Sequence, residues 1–314
     1  MKRTIVFAAL LFAAAAQAEI TGTWAVTRSW TTDPGKIHIN LMREHNNFGS
    51  SFPIDAFVGL TMADVNSQGD VKFDLRREAG VVAFDGSFRN GEGVGHFVFT
   101  PDRSYESKLR AMGVRSDDDL DDERLLTLAL HDISTDYIRG LRAAGYNEPL
   151  EHYISMRIFR VTPELIADLR SLGYDHIGYD DLIASRVHKV TPDYIRGMKA
   201  AGYSLSMEQL VATRIHKATP EFLAEMAQLG YSRLGYDDLI AFRIHGVTPE
   251  FVSALRALGY NSVAADDLVA MRIHRVTPEY IRDVENAGYH HVPVEKLISM
   301  RIHGVDSRFL SKMQ

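Results

Sequence analysis

Five histidines recur in this chain at one nearly fixed interval. His188, His216, His245, His274 and His303 are separated by 28, 29, 29 and 29 residues, and His131 and Phe159 extend the column towards the amino terminus. Imidazoles invite a metal reading, because neutral His is a common ligand. A metal needs three or four ligands within roughly 2.0–2.6 Å. One His per unit, on units stacked about 10 Å apart as packed helices are, does not bring several onto one ion. Phe159 shows that an apolar ring also fits the slot. The column reads as packing at a helix end, where a cationic ring complements the negative dipole.

Two residues before that column stands Arg186, Arg214, Arg243, Arg272 and Arg301, preceded by Arg157. A row of guanidiniums could hold an anionic ligand along a groove. Each unit also carries a carboxylate six residues earlier, Glu151, Asp180, Glu208, Asp237, Asp266 and Glu295, and another set stands just after the Pro of the first helices, Glu164, Asp193, Glu221, Glu250 and Glu279. Arg–carboxylate pairing within or between units is therefore the expected use of the arginines. These Arg and His columns together are the candidate binding surface of the repeat.

Other chemistry is excluded or weak. There are 0 cysteines, so thiolate metal sites and cysteine nucleophiles are ruled out. No nucleophile elbow, His-Glu-x-x-His, Walker loop or dinucleotide fingerprint is present. Gly91-x-Gly93-x-Gly95 lacks the helix a phosphate loop should open. It reads as a tight turn and a crowded strand. The acidic run from Asp117 to Glu123 lacks EF-hand spacing and reads as a solvated loop leading into a helix N-terminus. No catalytic residue, metal or cofactor is expected, and the chain is read as a non-enzyme.

The elements that must position these columns are short helices. In the unit from Val190 to His216, Thr191 is an N-cap, Pro192 takes the first helical position and Asp193 favours the positive end. Val190 and Ile195 form a hydrophobic staple. Gly202 supplies the left-handed stop, followed by Tyr203. A second helix starts at Ser206 with Gln209 completing a capping box, and ends near His216. Two helices of about ten residues are marginal alone and must stack on their neighbours. A period of this size marks a solenoid of about seven ~28–29-residue units over residues 100–314. Thr100-Pro101 is expected to open the first helix, and Asp306 to Met313 to form a last one.

Residues 19–99 read as strands. Ile37, Ile39 and Leu41 alternate with polar residues, as do Val71, Phe73 and Leu75, and Val82, Phe84 and Phe88. Asn90-Gly91 is a hairpin signal, because both positions need positive φ. The expectation is a small antiparallel β-sheet, curved or barrel-like, so that the whole chain is a segregated α+β protein. Phe52 to Val65 stays open between strand and helix because of Pro53 and Gly59. Trp24 is expected in the core. Trp30, His38 and His96 are candidate ligand-binding residues of this β domain.

Lys2 and Arg3, the apolar Ile5 to Ala16 and the small-x-small Ala16-Gln17-Ala18 predict a signal peptide over residues 1–18. No Cys follows it for a lipid anchor, and no later stretch is apolar enough to span a bilayer. The expected location is periplasmic or secreted. The net charge of -6 gives no electrostatic footprint for nucleic acid.

The unit Val-Thr-Pro-Glu-Phe/Tyr…Gly-Tyr…Asp-Leu-Ile-Ala…Arg-Ile-His, clearest from Thr162 to His303, resembles helical repeats of uncharacterised exported bacterial proteins. It is similar to repeats appended to some membrane metallopeptidase sensors of the beta-lactam-sensing type. This chain lacks that sensor's zinc motif, so the resemblance implies an envelope setting and no protease activity. The resulting expectation is an exported interaction scaffold that binds an envelope or extracellular protein or peptide through the repeat surface. The alternative is small-ligand or glycan binding by the β domain, with the solenoid as a stalk or oligomerisation arm. Oligomeric state is not legible.

Overall fold

Seven strands and fifteen helices follow one another in the computed structural model, which describes residues 19–27, 35–43, 46–306, 309 and 312. The expected signal segment, Trp30 and most of the expected last helix lie outside the described residues. The chain forms two compact units, one running to Pro163 and one from Glu164.

The first unit opens with β1 (Ile20–Val26), β2 (Lys36–Met42), β3 (Asn47–Pro53) and β4 (Phe57–Val58). A short helix, α1 (Met62–Asn66), separates these from β5 (Gln68–Arg77), β6 (Gly80–Arg89) and β7 (Glu92–Pro101). They form one curled antiparallel sheet in the order β3-β2-β1-β7-β6-β5-β4. The period-2 runs place Ile37, Ile39, Leu41, Phe73, Leu75, Val82, Phe84, Phe97 and Phe99 in the core. Trp24 is fully buried, edge-on to Phe73 at 5.5 Å, and Phe73 stacks on Phe84 at 4.6 Å. Asn90 and Gly91 take φ of 53 and 88 and turn β6 into β7. The open stretch resolves into the end of β3, a single 3-10 turn, β4 and α1, whose Thr61 and Asp64 form a capping box.

Thr100 and Pro101 belong to β7, where Pro101 pairs with Gly80, so they do not cap the first helix as expected. Instead Asp102 accepts the amide of Ser104, and α2 runs from Ser104 to Ala111. After the acidic loop, Asp121 caps α3 (Asp122–Leu130) through the Arg124 amide at 2.8 Å. The sheet is tied to these helices by its β5–β6 turn. Glu78 accepts from the amide and hydroxyl of Thr135 at 3.2 and 3.1 Å, and Arg77 pairs with Asp132 at 3.1 Å. α4 (Thr135–Ala143) and α5 (Leu150–Ile158) complete this unit.

The second unit alternates first and second helices of each repeat. The first helices are α6 (Pro163–Ser171, its Pro163 closing the preceding unit), α8 (Pro192–Ala200), α10 (Pro220–Gln228), α12 (Pro249–Ala257) and α14 (Pro278–Asn286). The second helices are α7 (Tyr179–Val187), α9 (Met207–Ile215), α11 (Tyr236–His245), α13 (Ala265–Ile273) and α15 (Val294–Ile302). Thr191, Thr219, Thr248 and Thr277 each cap through the amide three residues on, at 3.2, 3.4, 3.3 and 3.2 Å. Gly173, Gly202, Gly230, Gly259 and Gly288 end the first helices at φ between 82 and 92. α8, α10, α12 and α14 follow one another as neighbours in one row; α7 with α9, α11 with α13, and α13 with α15 are neighbours in a second. Helices of about 13.5 Å gain their stability from this stacking rather than from propensity.

Candidate interaction surface of the helical repeats

The arginine column is spent on holding repeats together. Arg214, Arg243, Arg272 and Arg301 each donate from Nε to the main-chain carbonyl of the His one repeat earlier: His188, His216, His245 and His274, at 3.1, 3.1, 3.2 and 3.2 Å. Each guanidinium also lies over an aromatic ring of the intervening first helix. Arg214 covers Tyr194, Arg243 covers Phe222, Arg272 covers Phe251 and Arg301 covers Tyr280, at 4.7, 4.5, 5.0 and 4.9 Å. In the first unit Arg157 repeats the arrangement with the His131 carbonyl at 3.1 Å and the Tyr137 ring at 4.8 Å, and adds Asp132 at 2.6 Å.

For Arg214, Arg243, Arg272 and Arg301 the expected carboxylate pairing thus gives way to a carbonyl and a ring. The reason is geometric. A carboxylate six residues earlier in the same helix lies about 9 Å away along the axis, out of reach. The last carbonyls of a helix, by contrast, have no intrahelical partner and attract a cation. Arg186 occupies the same place in α7 and is half-buried.

The histidines sit where these helices end. His188, His216, His274 and His303 are the C-cap residues, and His245 is the last residue of α11. Their rings are half-exposed or exposed. Among the described residues no three His, Asp or Glu side chains gather as a metal set. His131, packed edge-on against Phe48 at 5.2 Å, is more enclosed; burial, and then the Arg157 charge, pull its pKa below 6.5.

Two further hydrogen-bond ladders join the repeats, one of them made by the Tyr that follows a Gly stop. Tyr174, Tyr203, Tyr231 and Tyr260, which follow the glycine stops, donate to the carbonyls of Leu205, Leu234, Val263 and Val292 in the next repeat, at 2.7, 3.0, 2.7 and 2.7 Å. Their burial raises the pKa of all four phenols. Lys199 and Arg256 donate back to the carbonyls of Leu172 and Leu229 at 2.5 and 2.6 Å. Residue type marks the donors, but the acceptors are main-chain carbonyls, which carry no sequence signature.

What the ladders leave outside is an aliphatic row. Val187, Ile215, Ile244, Ile273 and Ile302, one per repeat, are 49, 51, 57, 51 and 57 % exposed. Ile158 holds the same position in the first unit. The signal was in the sequence, as an Ile or Val immediately before every member of the His column from Phe159 on. Single exposed aliphatics are ordinary, whereas a row in register is a candidate contact surface.

Of the β-domain candidates, the two within the described residues, His38 and His96, stand apart. His38 meets Ser51 across β2 and β3 at 3.0 Å, and His96 is exposed on β7. Thr23 on β1 faces His96, and His38 lies one residue beyond the Val26–Ile39 pair. Four residues along β1 and two strand spacings put the rings roughly 16 Å apart. Neither lines the groove of about 500 Å³ at the strand ends near Val26, Gln68, Phe88 and Arg89. The inner face of the sheet is filled by aromatic side chains.

Comparison of the chain with family models, with curated proteins and with solved structures gave no match. No described helix is long and apolar enough to cross a membrane.

Proposed function

We propose that this chain is an exported, non-enzymatic interaction scaffold that binds a protein or peptide of the cell envelope or its surroundings. The binding face is the row of second helices, and the observation that carries the reading is the aliphatic row from Val187 to Ile302, exposed in five successive repeats. The Arg column supports that face from beneath through its carbonyl bonds, and the His rings border it. Repeat arrays commonly bind along such extended surfaces. The filled interior of the sheet and the separation of His38 from His96 weigh against ligand or glycan binding by the β domain.

The test is affinity capture from envelope extract with the full mature chain, compared with Ile244→Glu/Ile273→Glu. The reading expects specific proteins that the double variant fails to retain. An identical set captured by both chains would remove the aliphatic row from the account.

A further inference from the structure

The second helices from α7 to α15 are apolar on two faces. Leu182, Leu210, Leu239, Leu268 and Leu297 are buried on one face, and the aliphatic row stands on the other. Four residues before each row member, the same face carries half-buried Ile183, Ile240, Val269 and Ile298, and buried Val211. A helix apolar all round is ordinarily enclosed. Here one of the two faces is open.

The open strip has a charged border on each side. The helices begin on exposed carboxylates, among them Glu208 and Asp266, and the turns that follow them carry exposed Lys189, Lys217 and Arg275. These three bases sit at φ of 57, 58 and 57, in a position that Gly246 fills in another repeat. Glycine would occupy it without steric cost. Helix dipoles favour the same signs at the same ends, but they give no reason to expose aliphatics between the two borders.

An apolar strip with an acidic border on one side and a basic border on the other is complementary to itself. Lay two such strips face to face about a two-fold axis parallel to the stacking direction. The helices then run antiparallel, each repeat meets the same repeat of the other copy, and every acidic border lies against a basic one. A two-fold axis parallel to the helices would instead oppose like charges. Repeat period and aliphatic spacing match automatically, as an isologous interface requires. Five helices about 13.5 Å long and spaced about 9 Å apart cover about 600 Å² per copy. The pair buries about 1,200 Å², at the lower end of stable specific interfaces.

We infer that the occupant of this strip is a second copy of the chain, in an antiparallel two-fold dimer through the second helices. The inference rests on the reading that the repeat face is a binding face, and it names the partner. An interface at the lower end of the size range fits a weak, transient dimer.

Sedimentation velocity of the full mature chain from about 1 to about 200 µM tests it. The wild type should pass from monomer to dimer, and Ile244→Glu should weaken the dimer at least about tenfold, as expected from a charge placed in an apolar contact. Glu208→Lys/Asp266→Lys and Lys217→Glu/Arg275→Glu should each be monomeric alone and should dimerise when mixed, because each then restores the other's border. All these positions are exposed, so unchanged melting by circular dichroism verifies the fold. A wild type that stays monomeric, a dimer indifferent to Ile244→Glu, or a mixture that fails to pair overturns the proposal. A monomeric wild type that still captures envelope protein through Ile244 overturns only the dimer; loss of both removes the binding face as well.

Discussion

The Nε of Arg243 donates to the main-chain carbonyl of His216 at 3.1 Å while its guanidinium covers the Phe222 ring at 4.5 Å. One side chain thereby joins three helices of two successive repeats. It satisfies a helix-terminal carbonyl, which otherwise depends on water, and it does so with a planar cation that a ring can stack on. Arg243→Ala should therefore cost about 1.5–3 kcal/mol in urea unfolding, combining a charge-assisted bond with a cation–π contact. Arg243→Lys should recover less than half of that, because the ammonium lacks the planar fork.

The tyrosine ladder makes a positional prediction. Tyr231 donates to Val263 of the next repeat at 2.7 Å, whereas Tyr289, in the last repeat, is 46 % exposed. Tyr231→Phe should destabilise by about 1–1.5 kcal/mol, the net value of one such bond with its acceptor left behind. Tyr289→Phe should stay within about 0.5 kcal/mol of wild type. Thermal unfolding of the two variants side by side distinguishes a ladder of bonds from simple aromatic burial.

Left-handed positions after the second helices give a third. Lys189 has φ 57, and the same place holds Gly246 at φ 71. Lys189→Gly should stabilise by about 0.5–1 kcal/mol, since the steric cost of the side chain exceeds the added freedom of the unfolded chain. Gly246→Ala should destabilise by at least about 1 kcal/mol. Its added Cβ would also lie 2.9 Å from Arg272. Chemical denaturation midpoints at constant m-value read both effects.

Acid should loosen the first unit through His131. Burial, reinforced by Arg157, holds its folded pKa below 6.5. The unfolded chain therefore binds the proton first, and this contribution to stability is present above about pH 6.5 and is lost as pH falls through the depressed folded value. His131→Phe, which copies Phe159 in the same column, should flatten the decline in stability between about pH 7 and pH 5. Equilibrium unfolding followed by tryptophan fluorescence across that range measures it.

Much of the fold was legible because it rests on local chemistry. Thr191-Pro192, Gly202-Tyr203 and Ser206…Gln209 each state a cap or a stop within three or four residues, and the chain obeys them. Thr100-Pro101 carries the same words but lies in β7, because pairing with β6 outweighs a local cap. The candidate site was only half legible. Arg and His columns stand out by residue type, yet the arginines work on carbonyls, which every residue has. The exposure of Ile215 and Ile244 was not legible, since periodicity tells which residues share a helix face and not whether a neighbour covers that face.

The most direct measurement places a photocrosslinking residue at Ile244, on the open face of α11, and in a second chain at Ser253, exposed on the first helix α12. Each full-length chain is irradiated in cells of its own source. The account predicts a discrete crosslinked product from position 244, a second copy of the chain or another protein, and none from position 253. A product from 253 with none from 244 would contradict it, and would move the binding surface to the opposite row of helices.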